Sequence, residues 1–484
     1  MSLALTQSVA LLGLDGHVVT VEVDIADGLP GYSLLGLPDA ALSESRDRVR
    51  SAIVNCGEVW PNRKVTVSLS PAWLPKSGSS FDLAICIALL SAHETIPTER
   101  IAEIVFLGEL SLDGKIRSVR GVLPALMAAF KAGVTTAVVP AANVEEAQLM
   151  REIVQEIDLQ WQPSDERLDF ADVAGQPAAR RAAEIAAVGG HHILLIGPPG
   201  AGKTMIASRL PTILPALGLD QALEVTAVHS IAGSLGTRSP MSLVAPIVSP
   251  HHSASRVAMV GGGSHAIKPG ACSLAHHGVL FIDEAPECAV GVLDSLRQPL
   301  ESGTITIARS VGSLTFPAQF LLVLAANPCP CGKFTGKGRA CICSSLAVRR
   351  YLGKLSGPLM DRIDMRVQVE PVSRTEMAQT ELGESSADIR ARVVAARATA
   401  EARFANESWK LNSQIPSRAL RTTYKPERAA MNFLHDQLEK ELLTARGLHK
   451  IIRLSWTLAD LAGHSLPTLS DVQRAHQLRE GSEL

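Results

Sequence analysis

The sequence predicts an α/β fold class: a central doubly wound parallel sheet, preceded by an α+β region and followed by a helical region. Short apolar segments at residues 193–196, 279–282 and 320–325 alternate with helical segments, which is typical of buried parallel strands. Residues 1 to about 160 mix strand and helix patterns. From about residue 385 the pattern is helical to the end.

Length and composition favour a packed protein of two or three domains. The chain has 484 residues, of which 46% are hydrophobic and 19% charged, and a net charge of −2. The overall charge therefore gives no indication of nucleic-acid binding, although a local basic patch could suffice for it. We expect no membrane association and a cytoplasmic location, because no apolar run reaches about 18 residues and no signal peptide is visible. Eight cysteines fit a reducing compartment.

Patterns along the chain predict the domain organisation. In the first region, residues 18–23 alternate, residues 64–69 favour a strand and residues 82–90 a helix. A polar stretch at 161–167 indicates a linker. In the last region, residues 388–403 and 447–462 are helical, and Ser470 could cap a final helix with Asp471 in its first turn. We expect domains at 1–160, 172–384 and 385–484, with a linker at 161–171.

A phosphate-binding motif follows the first apolar strand of the central region. The pattern G-x-x-x-x-G-K-[ST] predicts a loop whose backbone N–H groups and following helix N-terminus bind ATP phosphates. The lysine reaches the β- and γ-phosphates and the hydroxyl ligates Mg²⁺. The motif comprises Gly197, Pro198, Pro199, Gly200, Ala201, Gly202, Lys203 and Thr204.

Polar side chains follow the next two apolar strands. Asp283 and Glu284 end one strand; we expect Asp283 to hold Mg²⁺ and Glu284 to activate the attacking water. Asn327 ends the other, where its amide could orient that water. Alternatively, Asn327 before Pro328 is only a turn former.

These motifs carry a family resemblance over nearly the whole chain. Residues 269–284, 296–301, 326–332 and 356–364 resemble magnesium-chelatase-like AAA+ ATPases, and the chain is similar to the YifB/ComM group, as is the stretch 36–46. The sequence departs from the family pattern at Ala271, where a glutamate is usual, and at residues 245–252, which lack an upstream arginine. Both departures concern a segment that this family inserts into the ATPase core, the helix-2 insert, and not the ATP-site motifs.

The resemblance implies further site residues. Arg362 matches an arginine finger that acts on a neighbouring subunit. The resemblance therefore implies a homo-oligomeric ring, and we expect a hexamer. Arg446 best matches a sensing arginine of the helical lid, with Arg453 second. The alternative for Arg362 is a surface arginine paired with Asp361 or Asp364.

The amino-terminal region resembles the proteolytic domain of Lon. Residues 76–82 look like its nucleophile segment, with Ser80 at the nucleophile position, and residues 106–117 resemble the following strands. Lon chemistry needs a lysine to activate the serine, and that position falls on Leu123. We therefore expect a retained fold without peptidase activity.

Two C-x-C pairs, nine residues apart, could hold one structural Zn²⁺. Free thiols or a labile disulfide are the alternatives. Basic residues in and after this stretch could contact a DNA backbone, or could simply be solvated. The cysteines are Cys329, Cys331, Cys341 and Cys343, and the candidate DNA-binding residues here are Lys333, Lys337 and Arg339.

Residues 303–316 predict a β-hairpin with Arg309 near its tip. In the resemblance to MCM-type helicases such a hairpin lines a pore, so Arg309 is a further candidate DNA contact. The alternative is an exposed turn cation.

Three functions compete. The resemblance implies a ring ATPase that remodels DNA, by branch migration or helicase-like movement. A chelatase-type motor acting on a protein partner is the second, and the Lon-like region and cysteines count against it. An ATP-dependent protease is the third, disfavoured by Leu123.

Overall fold

The computed structural model describes residues 2–99, 101–154, 168–235, 241–263, 267–309, 312–334, 341–372 and 383–481. The predicted linker segment at 161–167 lies outside these ranges. Among the described helices, none is long and apolar enough to cross a membrane.

The amino-terminal region is a six-stranded mixed sheet with helices on both faces. Strand order is β3-β4-β2-β1-β5-β8. Alternate residues of β2 are buried, as the sequence pattern predicted, and α3 packs on one face with α4 on the other. The elements are β1 Ser2–Leu12, β2 Asp15–Ala26, β3 Gly31–Leu35, α1 Ala40–Ser43, α2 Ser45–Asn55, β4 Lys64–Ser70, α3 Asp82–Ala92, β5 Ile104–Phe106, β6 Glu109–Leu110, β7 Ile116–Arg117, α4 Val122–Lys131, β8 Thr136–Val138 and α5 Val144–Val154.

The central region confirms the predicted parallel sheet, in the order β10-β13-β16-β9-β17. Neighbouring residues of one strand enter different cores: Val323 packs on one face and Leu324 on the other. The elements are α6 Pro177–Gly189, β9 Ile193–Ile196, α7 Lys203–Ile213, α8 Leu219–Ala232, β10 Ile247–Val248, α9 Arg256–Val260, β11 Gly261–Gly262, β12 Lys268–Pro269, α10 Ala271–Leu274, β13 Val279–Ile282, α11 Val290–Asp294, α12 Arg297–Ser302, β14 Thr304–Arg309, β15 Gly312–Pro317, β16 Leu321–Ala326, α13 Ser345–Leu352, α14 Gly357–Met360 and β17 Met365–Gln368.

The described residues after 383 form five α-helices joined by loops, in line with the helical pattern of the sequence. Phe404, Tyr424 and Trp456 pack edge to face at their centre. One detail of the prediction was wrong: the last helix is capped by Thr468, whose hydroxyl accepts from the Asp471 N–H, so Ser470 lies inside the first turn. The helices are α15 Ser386–Arg403, α16 Ser417–Thr422, α17 Arg428–Glu439, α18 Ala445–Ala462 and α19 Leu469–Glu480.

Candidate nucleotide site and subunit-facing arginines

The phosphate-binding loop lies at the carboxyl end of β9, between β16 and β17. Gly197 has no room for a side chain, because a Cβ there would lie 2.1 Å from the Val369 carbonyl oxygen. The buried Lys203 side chain donates from Nζ to the Gly197 and Pro198 carbonyls at 2.7 and 2.9 Å. Burial lowers the pKa of Lys203, and the nearby Asp283 and Glu284 charges partly offset this effect.

The carboxyl ends of the neighbouring strands bring three predicted side chains to this loop. Thr204 Oγ1 donates to Asp283 Oδ2 at 2.8 Å, and Lys203 Nζ donates to Asn327 Oδ1 at 3.2 Å. A hydroxyl and a carboxylate in contact form the kind of oxygen donor pair that suits Mg²⁺. Asn327 therefore contacts the predicted phosphate-binding lysine, and its role in orienting water stays a prediction.

Glu284 has an unusual backbone conformation and lies beside His252, which the sequence analysis did not predict as a site residue. Its backbone has a left-handed φ of 50°, and its N–H donates to Asp283 Oδ1 at 2.9 Å. Glu284 Oε2 lies 3.3 Å from His252 Nδ1. His252 follows edge strand β10, so it reaches the same end of the sheet. In the sequence, the available signal was the family resemblance of residues 249–252, Ser-Pro-His-His.

Arg362 pairs with neither Asp361 nor Asp364. Its Nη2 instead donates to Glu301 of α12, and its Nη1 donates to the Pro358 carbonyl at 2.5 Å. The side chain is 14% exposed. It lies on the turn between α14 and β17.

The two lid arginines have different environments. Arg446 is largely exposed and its Nη1 lies 3.6 Å from Asp361 Oδ2, beside Arg362. Arg453 instead donates from Nε and Nη2 to the Ile415 carbonyl at 2.9 and 2.6 Å. These two hydrogen bonds lie within the lid. Arg362, Arg446 and Arg453 all line one cavity of about 930 Å³; among the described residues, its lining includes none of the phosphate-binding loop.

Four cysteine sulfurs converge although their two pairs are separated in sequence. Cys329, Cys331 and Cys341 have mutual sulfur distances of 3.4 to 3.7 Å, and Cys343 joins them within 4.8 Å. Tetrahedral Zn–S bonds of about 2.3 Å require sulfurs about 3.8 Å apart, whereas a disulfide needs about 2.05 Å. Backbone N–H groups of Lys333 and Ile342 donate to Cys331 and lower its pKa. These residues fit a zinc ion.

The candidate DNA contacts are only partly described. The predicted hairpin is present: β14 and β15 pair antiparallel, and Arg309 ends β14 opposite Gly312. Lys333 is exposed. Lys337 and Arg339 lie outside the described residues.

The amino-terminal region keeps Leu123 fully buried at the start of α4, where its N–H donates to Glu146 Oε1 at 2.8 Å. An apolar, buried side chain cannot accept a proton from Ser80. Lys76, four residues before Ser80 in the chain, is also buried. Its Nζ donates to the Leu69 carbonyl at 3.0 Å and to the Pro71 carbonyl.

The parallel sheet, the loop around Lys203 and the acidic pair define the class of P-loop AAA+ ATPases. Three family models match the chain: magnesium chelatase subunit ChlI at residues 169–377, subunit ChlI of Mg-chelatase at 21–143, and the magnesium chelatase subunit ChlI C-terminal model at 383–479. The chain belongs to the YifB/ComM group of these magnesium-chelatase-like proteins, on the following similarities.

An uncharacterized protein of Mycobacterium tuberculosis is 47% identical, with 99% of both chains covered. The uncharacterized protein YifB of Escherichia coli is 38% identical over 99% of this chain and 97% of its own. The competence protein ComM of Haemophilus influenzae is 39% identical over 96% of this chain and 94% of its own.

The likeness to Lon is partial. Lon protease 1 of Myxococcus xanthus is 28% identical over 140 residues, which cover 28% of this chain and 17% of that protein.

Proposed function

We propose that this protein hydrolyses ATP in a homo-oligomeric, hexameric ring and uses the energy to remodel DNA. The hydrolysis step is supported by one observation above all: Lys203 contacts Asn327 while the adjacent Thr204 contacts Asp283, at the carboxyl end of one parallel sheet. Ligand sites of open α/β sheets lie at this edge.

In the proposed mechanism, Lys203 and the loop N–H groups bind the phosphates. Thr204 and Asp283 would hold Mg²⁺, which supplies positive charge to the β- and γ-phosphate oxygens. Glu284 acts as general base: its carboxylate takes a proton from the attacking water. Asn327 orients that water through its amide.

Completion of the site by a neighbouring subunit is supported by the position of the arginines. Arg362 and Arg446 share a cavity whose described lining excludes the subunit's own phosphate-binding loop. A guanidinium placed away from its own phosphate-binding loop is suited to stabilising γ-phosphate charge in the next site. Assembly would require Arg362 to leave Glu301.

DNA as the substrate is supported by the hairpin β14–β15 and by exposed cations next to the cysteines. Lys333, Arg349 and Arg350 are exposed, and clustered cations bind phosphate backbones. One relative is described as a competence protein. We further propose that Arg309, Lys333, Lys337 and Arg339 contact DNA and that Cys329, Cys331, Cys341 and Cys343 hold a structural Zn²⁺.

The proposed organisation assigns residues 1–160 to an inactive Lon-like domain, 161–171 to a linker, 172–384 to the ATPase core and 385–484 to the helical lid. We propose a cytoplasmic location.

The decisive experiment measures ATP turnover with no DNA, single-stranded DNA and branched DNA across a salt series. We expect stimulation by DNA that declines as salt rises, because phosphate contacts release counterions. Turnover without any DNA stimulation or low-salt binding would instead favour a chelatase-type motor that remodels a protein partner.

A further inference from the structure

Two cationic side chains of the lid hold the backbone of the turn that carries Arg362. Lys450 Nζ, from α18, donates to the Arg362 carbonyl at 3.0 Å and lies 2.7 Å from Asp364 Oδ1. Arg479 Nη1, from α19, donates to the Ile363 carbonyl at 2.9 Å. Three consecutive residues of the turn are therefore held by two lid helices.

The same turn is fixed to the core on its other side. Asp364 Oδ2 accepts from the His192 N–H at 2.9 Å, and the Asp364 N–H donates to the His192 carbonyl at 3.0 Å. His192 immediately precedes β9, the strand that leads into the phosphate-binding loop. Asp364 has a side chain only 1% exposed, so Lys450 is the counter-ion of a buried carboxylate.

The pKa of Asp364 is consistent with this pairing. Burial alone would raise this pKa. The Lys450 ammonium and the neighbouring His191 and His192 lower it by more than burial raises it, so the pKa of Asp364 lies well below the usual value. The carboxylate therefore stays charged and keeps its attraction for Lys450.

Arg446 and Lys450 lie one turn apart on α18 and so share a face of that helix. Arg446 faces Asp361, and Lys450 contacts Arg362 and Asp364. A single lid helix thus contacts both sides of the finger residue. Any rotation of α18 relative to the core would move the Arg362 turn or break these contacts.

We propose that Lys450 is a positioning residue for Arg362: it couples the orientation of the lid to the direction in which a subunit presents its guanidinium to its neighbour. Lys450 touches no reacting atom. The inference rests on the proposed action of Arg362 on the adjacent site.

A mixed-ring experiment separates positioning from folding. Lys450→Met subunits keep an intact ATP site but lose the tie to the Arg362 turn. Glu284→Gln subunits have an inactive site but an intact turn. We expect Lys450→Met alone to bind ATP as the parent does and to hydrolyse at least about tenfold more slowly, given the large contribution of arginine fingers. Mixing it with Glu284→Gln subunits is expected to raise its turnover several-fold.

Controls define the outcomes. Lys440→Met, which removes an exposed pair with Asp436, is expected to leave turnover unchanged, and Lys450→Arg is expected to restore most activity. Arg362→Ala is the reference for a lost finger. If Arg362→Ala hydrolyses normally, the proposed action of Arg362 on the neighbouring site fails; if Arg362→Ala is rescued by mixing and Lys450→Met is not, the positioning role is overturned.

Parent-like turnover of Lys450→Met alone would also overturn it. Should that variant not fold, Lys450→Gln, which retains an N–H donor for the Arg362 carbonyl, is measured by the same criteria.

Discussion

Lys203 and Asn327 are joined directly, with Nζ 3.2 Å from the amide Oδ1. They lie 124 residues apart in the chain and meet because β9 and β16 are adjacent parallel strands. The contact links Lys203, which is proposed to bind the phosphates, with Asn327, which is proposed to orient the attacking water.

Asn327→Ala is expected to lower the rate of ATP hydrolysis by about 10- to 100-fold, because the water loses its orienting amide. ATP affinity is expected to change little, since Lys203 keeps its carbonyl partners and its reach to the phosphates. Single-turnover hydrolysis and nucleotide binding measure the two effects. The exposed Asn406→Ala is the control; an equal rate for both variants would contradict the assignment.

Lys203→Ala and Glu284→Gln are expected to abolish turnover for different reasons. The first removes phosphate binding, so ATP is no longer retained; the second removes the general base, so ATP is retained but not cleaved. Equilibrium binding of a fluorescent ATP analogue and phosphate release distinguish them, with Glu439→Gln on the exposed face of α17 as control. Normal hydrolysis by Glu284→Gln would remove Glu284 from its role.

Arg446→Ala and Arg453→Ala are expected to differ although both lie on α18. Arg446 is exposed beside Arg362, so its loss is expected to reduce ring hydrolysis with little change in thermal stability. Arg453 satisfies the Ile415 carbonyl, so its loss is expected to cost about 1–3 kcal/mol of stability. Thermal unfolding and ATPase assays together test this; the opposite pattern would reverse the two roles.

Metal analysis of the purified protein is expected to find about one Zn²⁺ per chain. Cys341→Ser combined with Cys343→Ser is expected to abolish binding, because two of four thiolate ligands are lost. Cys56→Ser, at an exposed cysteine outside the cluster, is the matched control. Parent protein free of metal after purification without chelators would refute the zinc site.

Acid is expected to destabilise the fold through His191. Burial lowers the pKa of His191 to about 4, whereas an unfolded histidine has a pKa of about 6.5. Between these values the unfolded chain binds the extra proton, so stability is fully present above about pH 6.5 and falls as the pH drops towards 4. The loss attributable to this residue is about 1–3 kcal/mol.

Thermal unfolding midpoints from pH 7.5 to 4.5 measure this loss. His191→Gln, which can still contact Thr457 Oγ1, is expected to flatten the dependence, and the exposed His435→Gln is expected not to. An unchanged slope in His191→Gln would show that other groups cause it.

The sequence by itself predicted the candidate ATP-site residues and determined most of the strands around them. Motif spacing and apolar runs are local properties, so the loop around Lys203, the acids after β13 and Asn327 after β16 could be predicted. The amino-terminal strand Lys64–Ser70 and the long helices Ser386–Arg403 and Ala445–Ala462 followed from periodicity in the same way.

Only the tertiary structure decided which distant side chains meet. Arg362 pairs with Glu301 across 61 residues, and Lys450 reaches the Arg362 carbonyl across 88. The contact of His252 with Glu284 likewise depends on β10 lying beside β13. Such pairings depend on how the helices and strands pack against one another. The types of side chain and their spacing along the chain do not determine that packing locally.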